Sequence, residues 1–428
     1  MFKIIIQDPT KIRPFNEPAR ELRILNKPLW LHQRDLLRPY CTEEYEVALD
    51  EPIEETDKET IIYKDNLYFD ENLFEAFLKI AKAINTPCQI AFDLEDAAIV
   101  NHALPLQSGI RQQGDVYVAD LYYYPDGYSQ ANRQQLVPLI IDTKSTEIGY
   151  YHIPTYMAYE KGDLVYNVPK LPLLSIESWI HIYLANTIFG IFSMGARIEA
   201  QLNEDFSFLL KILFRSLLER KQFLGSSPVV KIGKNCQIDP AAIIQGPTII
   251  GDNVTIGPGA VINACIIGDN VNISQGCQLM LSVIGSGTFL PFRAALFMTT
   301  LMENAMVAQN TCLQMCVVGR NSFIGAGNTF TDFNLLARPI RTMHKGKLVE
   351  VQQPVIGGCV GHNCRIGSGH IIFPGRTIES DVVLFAKNGQ NIISKDVRYE
   401  DSDHHNFPNQ GHIPLYHPEE ESSDEAKE

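Results

Sequence analysis

The chain has 428 residues, 45% of them hydrophobic, and carries 36 Lys and Arg against 50 Asp and Glu, for a formal net charge of −14. That length accommodates two or three domains, and the apolar fraction is that of a globular protein. The negative balance argues against nucleic acid or an anionic membrane as a partner of the whole chain.

Nine cysteines, several on core positions of the repeat described below, point to reduced thiols and a cytoplasmic location rather than a disulfide framework. No basic stretch followed by an apolar run opens the chain, so no secretory signal is expected. Residues 1–170 read as an α/β domain. Met1–Gln7, Ile61–Tyr63, Gln89–Phe92, Asp115–Tyr124 and Pro138–Ile141 are predicted strands, and Glu71–Ile84 has helical spacing.

Residues 171–226 read as a helical connector. Trp179 to Ile198 is nearly apolar for about the length of a membrane span. It contains His181, Asn186 and Arg197 and lies between soluble modules, so a buried helix is expected and no span. Helical spacing resumes over Asp205–Lys221.

Residues 227–396 carry a six-residue period. Isoleucine recurs at Ile232, Ile238, Ile244, Ile250, Ile256 and Ile262, each preceded two positions earlier by a fairly small residue. Neither an amphipathic helix nor an alternating strand has that period; a solenoid whose flat faces are six residues long does. Isoleucine points inward, and Gly or Asn supplies the corner geometry. The register slips by one before Ile267 and again before Ile284, continues to Leu290, Leu296 and Met302, resumes at Val318, Ile324 and Phe330, and returns at Val360 through Leu384. At three hexads per coil, residues 229–393 make about eight coils with Ile232, Ile250 and Ile366 buried. A non-repeating stretch, 334–354, interrupts them. Residues 397–428 are expected to be an acidic disordered tail.

Hexads of this kind resemble the hexapeptide-repeat left-handed β-helix of acyltransferases and of the C-terminal domain of sugar-1-phosphate nucleotidyltransferases. The N-terminal part resembles a reduced nucleotidyltransferase domain. Ile12-Arg13-Pro14-Phe15-Asn16 is similar to that family's Arg-Pro-Leu-Thr turn, Pro18-Ala19-Arg20 stands where its Pro-Lys pair would be, and Asn26-Lys27-Pro28-Leu29 matches its Asn-Lys-Pro-Leu segment. Ile61 to Asn66 resembles the strand that delivers its magnesium-binding aspartate. The resemblance implies Asp65 as an Mg2+ ligand and Arg13, Arg20 and Lys27 as phosphate contacts, with Arg13, Lys27 and Asp65 converging in one cleft. The family's glycine-rich loop is replaced by Gln7-Asp8-Pro9-Thr10-Lys11.

Within the repeats, Ile324-Gly325-Ala326-Gly327-Asn328-Thr329 with Asp332-Phe333 resembles a stretch of bifunctional glucosamine-1-phosphate acetyltransferase/uridylyltransferases. Counted back without gaps, the catalytic histidine of that family falls on Gln309, which cannot act as a base near neutral pH. His344, inside the insertion, is the replacement base. Arg338, Arg341 and Lys345 make the insertion cationic and suit a phosphorylated ligand. Asp332 joins them as a substrate contact. Cys312, Cys316, Cys359 and Cys364 read as core thiols. Phe289, Phe292, Phe297, Met298 and Met302 are too bulky for a narrow core and point to a subunit interface; the resemblance implies a homotrimer.

The leading functional reading is therefore a transferase acting on sugar phosphates or nucleotide sugars, in the manner of a sugar-1-phosphate nucleotidyltransferase. The alternatives are a hexapeptide-repeat acyltransferase with an acyl-coenzyme A donor, and a non-catalytic trimeric scaffold.

Overall fold

The computed structural model describes residues 1–152, 163–336, 338–387, 389–407 and 412–416. Six of the seven strands of the N-terminal sheet run across it in the order 137–140, 88–93, 116–124, 60–64, 2–7 and 43–48. Phe2–Gln7 is parallel to both of its neighbours, whereas Val116–Tyr124 is antiparallel to all three of its own, including Arg111–Gln113. Strand Glu43–Ala48 is absent from the expectations above because its sequence, EEYEVA, is polar, as suits a sheet edge. Helix Glu71–Ile84 starts on Asp70, whose carboxylate accepts from the Leu73 N–H at 3.0 Å, and ends on Asn85 in the left-handed conformation. Its Leu73, Phe74, Phe77 and Ala81 are buried against the sheet.

The connector begins with helix Trp179–Asn186, capped by Ser178, and continues through Thr187–Phe192 into helix Ser193–Glu204. By length and composition, Trp179–Glu204 qualifies as a membrane span, yet 89% of its apolar window is buried inside the protein. Its polar residues are each satisfied. His181 Nδ1 accepts from the Glu177 and Ser178 N–H groups, Asn186 Oδ1 accepts from the Leu25 N–H at 2.8 Å, and Arg197 pairs with Asp70 at 2.5 Å. The buried helix expected from those three residues is the one observed.

Eight coils follow as a left-handed β-helix, whose three faces are parallel sheets of eight strands each. The inward column of the first face reads Ile250, Ile267, Ile284, Leu301, Val318, Val360 and Ile378, all within a few per cent of complete burial. Asparagine lines one corner with positive φ at Asn235, Asn253, Asn270, Asn304, Asn321 and Asn363. There its short polar side chain tolerates the left-handed region and bonds to the next coil's asparagine, as from Asn253 to Asn270 at 3.3 Å.

Three readings need correction. Ile232 is 43% exposed, because it lies on the first coil and no coil covers it from below. Leu301, not Met302, is the inward residue of its coil, because another short corner separates it from Leu296. Residues 399–407, read as disordered, form two short 3-10 turns against the last coil, with Tyr399 and Asp403 buried. Residues 412–416 of the same tail also sit on the coils, where the Leu415 and Tyr416 N–H groups donate to the Asp381 carboxylate at 2.9 and 2.6 Å; residues 408–411 and 417–428 lie outside the described residues.

The short corners carry the domain contact. Ala264, Leu281, Met298 and Met315 occupy them with positive φ. Met298, Met302 and Met315 are buried in the core that also holds Trp179, Tyr183 and Phe189, while Phe297 packs against it. These bulky residues therefore bind the solenoid to its own N-terminal domain, and only Phe289 and Phe292 of the expected interface set remain exposed.

Position in the stack sets the cost of a deletion. Ile250→Ala, in a dry and fully paired coil, should lower unfolding free energy by about 2–5 kcal/mol, and Ile232→Ala by less than about 1 kcal/mol. Urea unfolding of the two variants checks this.

Candidate functional site

Three places gather the chemistry. The first is a cleft of about 360 Å³ on the N-terminal sheet, beneath Trp30 and Arg34 of helix Leu29–Leu37. Parallel register puts Lys3 beside Glu44 and Ile5 beside Glu46 and Tyr63 on one face. Arg20 reaches Glu46 at 3.2 Å and Asp65 at 3.4 Å, and Lys3 reaches Glu44 at 2.7 Å. Asp65 is buried, and burial pushes its carboxyl up to about 6 against the lowering effects of the Asp8 N–H and Arg20. Arg20 and Asp65 meet here, but the expected convergence of Arg13 and Lys27 on Asp65 is not found. Arg13 and Lys27 do not line it: Arg13 is exposed on its turn, and Lys27 pairs with Asp35 at 2.9 Å.

Where the nucleotidyltransferase family has glycines, the Asp8 N–H donates to Asp65 Oδ1 at 2.9 Å. Asp8 itself accepts from the Thr10 N–H at 3.0 Å and pairs with Lys64 at 2.8 Å. The turn is folded around carboxylates that would repel a triphosphate. Nor does the donor set fit the implied magnesium. One Asp65 oxygen holds an N–H and the other faces Arg20, and among the described residues no group of three His, Cys, Asp or Glu is placed to hold a metal.

The neighbouring signature segment is taken up by the solenoid. Ser380 donates its N–H and hydroxyl to the Pro14 carbonyl at 3.0 and 2.9 Å. Glu17 pairs with Arg320 and lies 3.4 Å from His362, Arg23 pairs with Glu303, and Asn26 donates to the Ile284 carbonyl at 2.9 Å.

The second place is the insertion. It is a β-hairpin, Arg341–His344 with Lys347–Glu350, docked on the N-terminal domain. Trp179 Nε1 donates to Thr342 at 3.0 Å, and Ile340, Val351, Val355 and Ile356 enter the shared core. Two of its four cations are paired within this chain: Arg341 with Glu350 at 3.3 Å and Lys345 with Glu177 at 2.9 Å. His344 is half-buried beside Lys345 and Glu177; burial and then Lys345 lower its pKa and so favour the neutral imidazole. It does not line the solenoid cleft described next, and neither does Gln309, which sits on a corner bonded through its carbonyl to Gly327. The assignment of His344, Arg341 and Lys345 to a solenoid-bound ligand is therefore not supported by their placement.

The third place is a cleft of about 660 Å³ on the solenoid, where the chain leaves the coils. Gln314, Thr329, Thr331 and Phe373 form its floor along one sheet, and Phe333, Leu335 and Leu336 form its wall. Leu335 and Leu336 are strongly exposed. Asp332 and Arg338 both line it. Burial raises the Asp332 pKa, and the Arg338 guanidinium has no ion-pair partner among the described residues. Arg338 also borders a polar cavity of about 650 Å³ toward the N-terminal domain, lined by Asn101, His102, Asn167 and Gln353.

With this geometry in view, known proteins can be compared. Residues 230–264 match the model of the bacterial transferase hexapeptide (six repeats). That match lies on the first two coils of the β-helix. The bifunctional protein GlmU of Geobacillus sp. (strain WCH70) is 25% identical over 168 residues, which are 36% of this chain and 37% of that protein. The chain therefore covers little more than a third of that relative's length. The acetyltransferase domain of PglB from Neisseria gonorrhoeae FA1090 is 16% identical over 43% of this chain and 58% of its own, with a TM-score of 0.15. Its complex with acetyl coenzyme A gives 16% identity, 41% and 62% coverage and the same TM-score. At those scores neither structure carries an inference about this chain.

Glu177 anchors the hairpin and makes its docking testable by pH. Burial alone would raise its pKa, but the Ser108 N–H, Lys345 and the Ser108 hydroxyl outweigh it and hold the carboxyl at about 2. A depressed pKa contributes stability that is present above the ordinary value near 4.5 and lost as pH falls toward 2. Glu177→Gln should cost roughly 2–4 kcal/mol at pH 7 and progressively less below pH 4.5. Urea unfolding at pH 7, 4 and 3 measures that difference.

Proposed function

We propose that the chain is an acyltransferase whose working site is the solenoid cleft of Asp332 and Arg338, and that the N-terminal domain has become a supporting module. One observation carries this reading: this cleft combines an apolar wall, a cation without an ion-pair partner among the described residues and a carboxyl group with a raised pKa, whereas the N-terminal cleft has its charges paired with one another. An acyl-coenzyme A donor fits those features. Its anionic phosphates would meet Arg338, and its thioester arm would lie along Leu335, Leu336 and Phe373.

In the reaction, an acceptor amine or hydroxyl attacks the thioester carbonyl. The new bond to carbon forms, the carbon–sulfur bond breaks, and the acceptor's proton passes to the Asp332 carboxylate and on to the departing thiolate. A carboxylate is a weak base in water, and burial moves Asp332 toward the range useful near neutral pH. A sugar phosphate is the acceptor class that the resemblance implies. The expected homotrimer now rests on that resemblance and on exposed Phe289 and Phe292, since Met298 and Met302 serve contacts within the chain.

Calorimetry with acetyl-coenzyme A, and separately with nucleoside triphosphates plus Mg2+, tests this. Acetyl-coenzyme A should bind, and Arg338→Ala should weaken it at least roughly tenfold, the effect of one lost charge-assisted bond. Asp332→Asn should leave binding nearly intact and abolish transfer. Triphosphate binding that Arg20→Ala removes, with no acyl-coenzyme A binding, would restore the nucleotidyltransferase reading in its place.

A further inference from the structure

Helix Phe206–Glu219 presents an apolar face that none of the described residues covers. Its inner side is accounted for: Ile212 is completely buried with Val229 and Val230 of the first coil, and Phe208, Leu202 and Phe223 pack around them. The other side carries Phe206, Leu210, Leu213, Phe214, Leu217 and Leu218, all between 48 and 79% exposed. Their spacing of 4, 7, 8, 11 and 12 residues from Phe206 places them on one stripe. The stripe runs on to Leu224, whose carbonyl is bonded to Gly246 of the first coil, and to exposed Ile243.

Water-facing aromatic and leucine side chains at this density are the signature of an interface. The six helical side chains would remove roughly 700 Å² per protomer, near the ~800 Å² that each partner contributes to a standard stable interface. The charges say which partner. Glu204 and Asp205 stand at the start of the helix; Arg220 and Lys221 follow its end, where Glu219 lies 3.6 Å from Lys221 and Arg220 has no ion-pair partner among the described residues. An antiparallel, two-fold pairing with an identical helix sets each acidic start against a basic end and centres the contact on Leu213 and Phe214. Lys211 and Arg215 border the stripe, but the acidic start at Glu204 and Asp205 and a net charge of −14 both oppose an anionic bilayer.

We infer that this helix joins two copies of the chain through an antiparallel helix pair. The inference does not depend on the proposed activity, because the helix lies beside the first coil and the Asp332 cleft is built from later ones.

Sedimentation velocity of the full chain tests it. The wild type should be a dimer, or a larger even-numbered assembly, of 48.1 kDa chains. Leu213→Glu/Leu217→Glu should halve that mass while leaving the circular dichroism spectrum and the melting temperature unchanged, because both side chains face solvent in the single chain. If that pair disturbs folding, Leu217→Glu alone, at the most exposed position, serves the same purpose. Lys221→Glu should weaken association, and adding Glu204→Lys should restore it. A monomeric wild type, an assembly unchanged in the double variant, or wild-type binding to phosphatidylserine vesicles that the double variant loses would each overturn the inference.

Discussion

A single apolar core runs from the N-terminal sheet, through the helix that begins at Trp179, into one corner of the solenoid. Phe69, Phe74 and Phe77 are at one end of it, and Met298, Met315 and Cys359 at the other. Apolar burial is worth roughly 25 cal/mol per Å², so a core shared in this way fixes the two halves against each other more firmly than any ion pair on the surface. Much else follows from that constraint. The Pro14 turn is brought onto Ser380, and the insertion is pulled back as a hairpin against Trp179.

The same constraint separates the candidate sites. In the N-terminal cleft every close cation has an anionic neighbour, and the turn that would wrap a phosphate is wrapped around Asp8 and Asp65 instead. The cleft at Asp332 lies where the chain leaves the coils, at the margin of the shared core, and its apolar wall is still open to water. Opposite fates for two charged clefts in one chain therefore trace to where the shared core closes.

The solenoid was readable because its signal is a single column with one period, repeated far more often than chance allows. The slips in that period were visible too, but their meaning was not. A five-residue corner turns its apex residue outward with positive φ, and Met298 and Met315 there become contacts for the helix rather than for another subunit. The buried helix was legible in His181, Asn186 and Arg197, each of which needs a partner that a bilayer lacks. The insertion misled because its charge balance was counted locally. Arg341 finds Glu350 nearby, but Lys345 finds Glu177, 168 positions away in the chain. The expected meeting of Arg13 and Lys27 with Asp65 did not appear, because it depends on how a turn and a helix start are oriented, which residue types alone do not determine; Arg20 stands beside Asp65 instead.

The central claim is that ligand chemistry has moved from the N-terminal turn to the solenoid cleft. Hydrogen–deuterium exchange of the full chain, with and without acetyl-coenzyme A and with and without a nucleoside triphosphate plus Mg2+, tests it most directly. The expected result is slower exchange over 329–338 and around Phe373 with acetyl-coenzyme A, and no change at residues 5–20 or 60–66 with the triphosphate. Protection of residues 5–20 and 60–66 by the triphosphate, with 329–338 unaffected by acetyl-coenzyme A, would contradict it.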